Sequence, residues 1–301
     1  MTIRAFLDQA GWSEVAVMAL TPDASVRRYW RLAHPKWGRA LLCHDPSAQT
    51  ARFAHQADAL RVAGVCAPKV LACRSDAMVI EDFGDLSVTQ LAQDAAQEPQ
   101  AYGLAGAVLA QAQAHMCPAG LIVADVVHLV QIIEPFCATH PVRDAAGLRA
   151  ALTAALDTHM GAASVWIHRD FHADNLMWRP QHSGLARLGV LDFQDAMRGP
   201  AAYDLASLLY DARRDVRESA YAAALRGYLD ATGAASAPTE TAMAVLSLQR
   251  NLRILGLFAQ FAAQGRSAYQ RFVPRVRQHV ARALAHPACA DVARFVPAEA
   301  Q

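Results

Sequence analysis

The chain has 301 residues, is 54% hydrophobic and 18% charged, and carries a formal net charge of +1. That length supports a sizeable core and two lobes, and the near-neutral charge gives no reason to expect a nucleic-acid partner. The six cysteines contain no C-x-x-C pair and no tight framework, which fits reduced, mostly buried thiols in a cytoplasmic protein.

Residues 1–12 are amphipathic and interrupted by Arg4 and Asp8, so neither a secretory nor a membrane-spanning segment is expected. Their periodicity predicts a short helix over 3–10, followed by strands over 15–20, 26–32, 40–43, 70–73 and 78–80. A helix over 49–62 falls between the third and fourth strands, with Gly64 placed to cap it. Beyond the acidic stretch 81–85 the pattern turns helical, over 100–115, 122–136, 144–159, 215–230, 239–263 and 267–285. A strand-rich island, 164–190, interrupts these helices. The predicted class is α+β: a small antiparallel-sheet lobe with one main helix (1–80), a hinge (81–87) and a larger, mostly helical lobe (88–301).

The chemistry is concentrated after the apolar run Val165-Trp166-Ile167. There His168-Arg169-Asp170 is followed five residues later by Asn175, the spacing of an acceptor-side base and a metal-holding amide in kinase-type phosphoryl transfer. A hairpin-like unit then delivers Asp192 just past a strand end, where a carboxylate can hold Mg²⁺ bridging the phosphates of ATP. His168 and His172 also have the i, i+4 spacing of metal ligands, but the preceding strand and the kinase set argue against zinc. Gly199-Pro200 breaks the chain before Tyr203-Asp204, and Asp204 is expected either to favour a helix N-terminus or to brace the catalytic loop from below.

The ordered set of His168, Asp170, Asn175, Asp192 and Gly-Pro-x-x-Tyr-Asp204 resembles the aminoglycoside phosphotransferase and choline kinase group of small-molecule kinases. The stretches from Leu191 through Asp211-Ala212-Arg213-Arg214-Asp215-Val216 and from Gln249 to Phe258 are more similar still to one branch. That branch is the bacterial anomeric kinases that phosphorylate C1 of N-acetylmuramate and N-acetylglucosamine in peptidoglycan recycling. The resemblance runs from Asp23 to Pro287. It implies a protein-kinase-like bilobal fold, ATP and Mg²⁺ as cofactors, Asp170 as base, Asn175 and Asp192 as metal ligands, and a monomer acting on a small amino sugar away from any membrane. Sugar contacts are expected among His172, Asp174, Gln194, Asp195 and Arg213, with His168 and Asp204 supporting the loop. Glu81 and Asp82 are expected to present backbone groups to adenine beside Ile80.

One part of the kinase pattern is missing. The strand 39–43 has no Lys and the helix 49–62 has no Glu, so the usual phosphate-gripping pair is absent. An arginine is expected in its place: Arg27 and Arg31 share one face of an alternating strand, and Ser25 would stand over the β-phosphate. The acceptor remains open at this point among an acetylated amino sugar, an aminoglycoside, a choline-like alcohol or none, as in a pseudokinase. Residues 241–301 carry eight Arg against Asp291 and Glu299, a charge sign that suits a sugar bearing a carboxylate better than a polycation.

Overall fold

A computed structural model describes residues 2–13, 15–20, 27–115 and 120–301. The chain opens with α1 (Ile3–Gln9), where the Thr2 hydroxyl accepts a hydrogen bond from the Ala5 N–H. Five strands follow, β1 (Ala16–Ala19), β2 (Arg28–His34), β3 (Gly38–His44), β4 (Val70–Arg74) and β5 (Ala77–Glu81), with α2 (Thr50–Val62) between β3 and β4. They form an antiparallel sheet in the order β1-β2-β3-β5-β4.

Strict alternation decides what each face of this sheet buries. Leu32, Ala40, Leu42, Ala77 and Val79 pack with Phe6, Leu7 and Trp12 on the side of α1. Cys43, Met78 and Ile80 join Phe53, Ala57 and Leu60 of α2 on the other side. β5 lies between two strands and is covered on both faces, which explains its unbroken apolar run. Burying Val79 or Ile80 fully stabilises the lobe by about 1.5–3 kcal/mol each.

Past the sheet the chain is mainly helical. α3 (Val88–Leu91), α4 (Glu98–His115), α5 (Val126–Gln131), α6 (Glu134–Thr139) and α7 (Ala145–His159) precede the strands β6 (Ala163–Ile167), β7 (Leu176–Trp178), β8 (Leu188–Val190) and β9 (Met197–Pro200). α8 (Tyr203–Leu209), α9 (Glu218–Thr232), α10 (Ser236–Ala263), α11 (Val273–Leu284) and α12 (Ala290–Ala293) complete it. β6 pairs antiparallel with β9, and β7 with β8. Among the described residues no helix is long and apolar enough to cross a membrane.

Two predicted helices have different boundaries. The single helix expected over 122–136 is α5 and α6 instead. Val123 bridges to Arg198, Asp125 caps α5 by accepting from the His128 N–H, and Pro135 restarts the chain in the first turn of α6. The helix expected from 267 begins as a 3-10 turn, Ser267–Phe272, before α11 starts with Pro274 in its first turn.

α10 is the axis of the helical region. Most residues from Ala242 to Gly256 are buried, including the polar run Gln249-Arg250-Asn251. Gln249 donates to the Leu129 carbonyl at 2.7 Å and Asn251 donates to the Ser247 carbonyl at 2.8 Å. Gly256 lets α10 touch the start of α6, since a Cβ there would lie 2.2 Å from the Phe136 nitrogen.

Candidate active site

The loop that bears Asp170 leaves β6 at Ile167 and is shaped from below by one buried carboxylate. Asp204, in the first turn of α8 and fully buried, accepts the backbone N–H of His168 at 2.5 Å and of Arg169 at 2.9 Å. These bonds stabilise Arg169 in the left-handed region (φ 76°), a conformation that costs a side-chain-bearing residue energy and turns the next residue, Asp170, out of the strand direction. Burial pushes the Asp204 carboxyl up to about 6, while His168 and the two N–H donors pull it back toward ionisation. Asp204 thus stands in the first turn of α8 and also holds two N–H groups of the loop.

His168 ties the loop to the strand that bears Asp192. Its Nε2 lies 2.7 Å from the Leu191 carbonyl, and its Nδ1 accepts the Asp170 N–H at 3.3 Å. Those two roles require the tautomer with the proton on Nε2. Asn175 donates its amide to the Asp170 carbonyl at 2.9 Å, and the Asn175 carbonyl accepts the Leu191 N–H at 2.9 Å. Asp192, also at positive φ (61°), accepts from the Gln194 amide at 2.9 Å. Phe193 behind it is buried against Phe53 of α2, with ring centroids 4.8 Å apart.

Asn175, Asp192, Asp174, Gln194 and Asp195 line one side of a cleft of about 620 Å³, and Arg27, Tyr29, Leu41, Phe53 and Ile80 line the other. Asp170 is open to solvent, its side chain 55% exposed, and the buried Arg250 lies 3.7 Å from it. Surrounding protein alone would raise the Asp170 pKa, but nearby positive charge, that of Arg250 first and Arg253 with it, outweighs this and holds it below the usual carboxylate value. His172 is driven well below the ordinary histidine value by burial and by Arg213, so it is neutral near pH 7.

Opposite Asp192 the cleft carries an arginine–aspartate pair and, among the described residues, no Lys–Glu pair. Arg27, immediately before β2, donates Nε to Asp45 Oδ2 at 3.0 Å, and its Nη1 is 3.8 Å from Asp192 Oδ1. Asp45 is buried just past β3 and also accepts from the Ser47 hydroxyl and N–H. Burial raises its pKa, but the bonds from Ser47 and Arg27 more than offset that, leaving a stable anion. An arginine–aspartate pair thus stands across the cleft from Asp192. Asp45 was missed in the sequence because it lies on the loop after the strand and not on the following helix.

Most of the other expected contact residues already have protein partners. Arg31 does not reach the phosphate region. Its guanidinium clamps the hinge, with Nε 2.7 Å from Asp82 Oδ2 and Nη2 2.8 Å from Asp85 Oδ1. Four residues of strand separate it from Arg27 by about 13 Å, so a shared face does not bring both to one ligand. The Asp82 carboxylate is taken up by that clamp and by the Gly84 N–H, and the Glu81 N–H donates to the Lys69 carbonyl. The Glu81 carboxylate faces Arg179 at 2.7 Å. Asp195, 64% exposed, faces Arg52 of α2 at 3.9 Å, and Gln194 spends its amide on Asp192. Asp174 accepts from the Thr89 hydroxyl at 2.5 Å and lies 3.7 Å from Arg213. Ile80 does line the cleft. Ser25 lies outside the described residues.

The chemistry of the donor set fits Mg²⁺. Asn175 uses its amide nitrogen on Asp170, which leaves its oxygen for a cation, and Asp192 adds a half-exposed carboxylate. Hard oxygen donors in small number, with phosphates supplying the rest, are what Mg²⁺ takes. Among the described residues there is no cluster of three or more His, Cys, Asp or Glu side chains suited to a metal held by protein alone.

Comparison with known proteins agrees with this geometry. An N-acetylmuramate/N-acetylglucosamine kinase of Caulobacter vibrioides is 32% identical, over 98% of this chain and 96% of its own length. The enzyme of the same name from Pseudomonas aeruginosa is 27% identical over 91% of this chain and 86% of its own. The crystal structure of aminoglycoside phosphotransferase APH(4)-Ia, in a ternary complex with ADP and hygromycin B, superposes with a TM-score of 0.65 at 13% identity. That match covers 95% of this chain and 100% of that one. The phosphotransferase enzyme family model matches residues 17–244, a span that holds the Arg27–Asp45 pair, the Asp170 loop, Asp192 and Asp204. With the family's span and the kinase-type site coinciding, the chain belongs to the phosphotransferase enzyme family.

Proposed function

We propose that this phosphotransferase is an ATP-dependent anomeric kinase that phosphorylates the C1 hydroxyl of N-acetylmuramate and N-acetylglucosamine. The observation that carries the reading is the acceptor side of the cleft. There an ionised, solvent-open Asp170 is surrounded by arginines, with Arg250 at 3.7 Å and with Arg253 and, through His172, Arg213 acting on the same group. An anomeric hydroxyl is more acidic than an ordinary alcohol, so a carboxylate of lowered basicity suffices to orient it and accept its proton late. Surrounding guanidinium groups tolerate or attract a lactyl carboxylate and repel a polycationic antibiotic.

In this reading residues 1–80 hold the nucleotide, 81–87 form the hinge and 88–301 carry the base and the acceptor. Arg27, held by Asp45, meets the phosphates, while Asn175 and Asp192 would hold Mg²⁺, which neutralises charge on the transferring phosphoryl group when bound. Asp204 and His168 fix where Asp170 points, and His172 and Asp174 flank the acceptor. The enzyme would act as a cytoplasmic monomer in the reuse of cell-wall sugars. ADP release is to be measured with Mg²⁺, ATP and a panel of both acetylated sugars, choline and kanamycin. Turnover on the acetylated sugars with a product labile to mild acid, as a glycosyl phosphate is, supports the reading. Turnover on kanamycin or choline alone refutes it.

A further inference from the structure

The polar run in the middle of α10 has no use in the fold that accounts for its central member. Gln249 and Asn251 anchor the helix, but Arg250 is only 4% exposed and its Nε and Nη1 have no hydrogen-bond partner. Its remaining nitrogen, Nη2, is 3.7 Å from Asp170 Oδ1, close enough for attraction and too far for a direct bond. Buried donors without partners are rare in native structures and ask for an explanation.

Two further buried atoms nearby are in the same condition. His172 Nδ1 and Asp211 Oδ2 have no partner, and the charge of Arg250 acts on both of these residues as well as on Asp170. Donors and acceptors left open together, around the residue that faces the acceptor, match the alternating hydroxyl, ring and amide oxygens of a sugar. α10 is pinned by Gln249 and by its contact with α6 at Gly256, so Arg250 is presented in a fixed place.

We propose that Arg250 is a positioning residue of the acceptor site, its guanidinium lying against Asp170 and offering its Nε–H and Nη1–H to an oxygen of the bound sugar beside the reacting hydroxyl. This rests on the reading of Asp170 as the acceptor-side base. The guanidinium then joins base and acceptor in one register, which a lone carboxylate on an open loop does not do.

Steady-state kinetics on wild type, Arg250→Met and Arg250→Lys test it, with each acetylated sugar and ATP varied separately. Loss of a charge-assisted bond raises the acceptor KM or lowers kcat by about tenfold or more in both variants, while the ATP KM stays within about twofold. Added guanidinium ion restores part of the activity of Arg250→Ala, which a purely structural role would not show. A folded Arg250→Met with wild-type acceptor KM and kcat overturns the proposal. Should that variant not fold, Arg250→Lys decides, because it keeps the charge and loses the Nε–H; an unchanged acceptor KM and kcat there overturns it equally. A wild type that turns over another alcohol and neither sugar breaks the sugar reading instead, and Arg250 is then judged by the same comparison on that alcohol.

Discussion

The two walls of the cleft handle arginine in opposite ways. On the nucleotide wall Arg27 is matched by Asp45 before any ligand arrives, as Arg31 is matched at the hinge by Asp82 and Asp85. On the acceptor wall Arg250 keeps two donors open beside Asp170. A matched guanidinium can meet a phosphate with little rearrangement and loses little when the cleft is empty. An unmatched one carries a cost of about 1–3 kcal/mol per open donor, and a ligand that fills those donors relieves it. One wall is thus organised in advance, and the other is completed by its substrate.

The largest effect expected is on turnover. Asp170→Asn should lower kcat by about 10²–10⁴-fold with ATP affinity retained, measured by ADP release and by nucleotide titration. Near-wild-type turnover would remove Asp170 from the acceptor side and with it the contrast between the walls. Next comes the matched pair. Arg27→Met strands the buried Asp45 and should cost about 3 kcal/mol in denaturant unfolding as well as weakening ATP. Arg250→Met should leave stability nearly unchanged or raise it. Equal losses in the two variants would erase the distinction.

Asp204→Asn keeps one acceptor for two N–H groups and should destabilise by about 1–3 kcal/mol at neutral pH. Its pH dependence has a definite sign. Burial raises the folded carboxyl to about 6, above the value of about 4 in an unfolded chain. The stability that comes from its tighter proton is fully present below about pH 4 and is lost as pH rises through about 6. Thermal melts of wild type should show that slope, and those of the Asn variant should lack it. The smallest effect concerns His172, which burial keeps neutral. The kcat/KM profile should therefore have no limb near the ordinary histidine value of about 6.5. A limb there that vanishes in His172→Gln would put a charged imidazole on the acceptor wall.

The loop residues were readable in the sequence because their geometry is local. Asp170 and Asn175 are set by a five-residue spacing, and Asp192 by the end of a short hairpin, so strand and turn signals place them. The Arg27–Asp45 pair joins the starts and ends of different strands and depends on sheet register, which no spacing encodes. Arg31 shows the limit of face arguments: alternation gives the side of a strand and not the distance along it. Arg250 did leave a signal, a charged residue inside the helical stretch 239–263, but the carboxylate it faces, Asp170, lies 80 residues away in the chain. The failed single helix over 122–136 has a local cause in Pro135 and the Asp125 cap.

Arg179, just past β7, reaches the Cys66 sulfur at 2.6 Å and Glu81 at 2.7 Å, and its guanidinium lies over the Phe83 ring at 4.3 Å. The Val190 N–H adds a bond to the Cys66 carbonyl, and the Phe83 ring fills the space that a Cβ on Gly189 would need. Mechanically, these ties bolt the β7–β8 hairpin, which has Asn175 and Asp192 at its two ends, to the hinge like a bracket. The hairpin and its ties to the hinge thereby set the spacing of the two oxygen donors. At the far side of the sheet the exposed edge strand β1 pairs, among the described residues, with β2 alone.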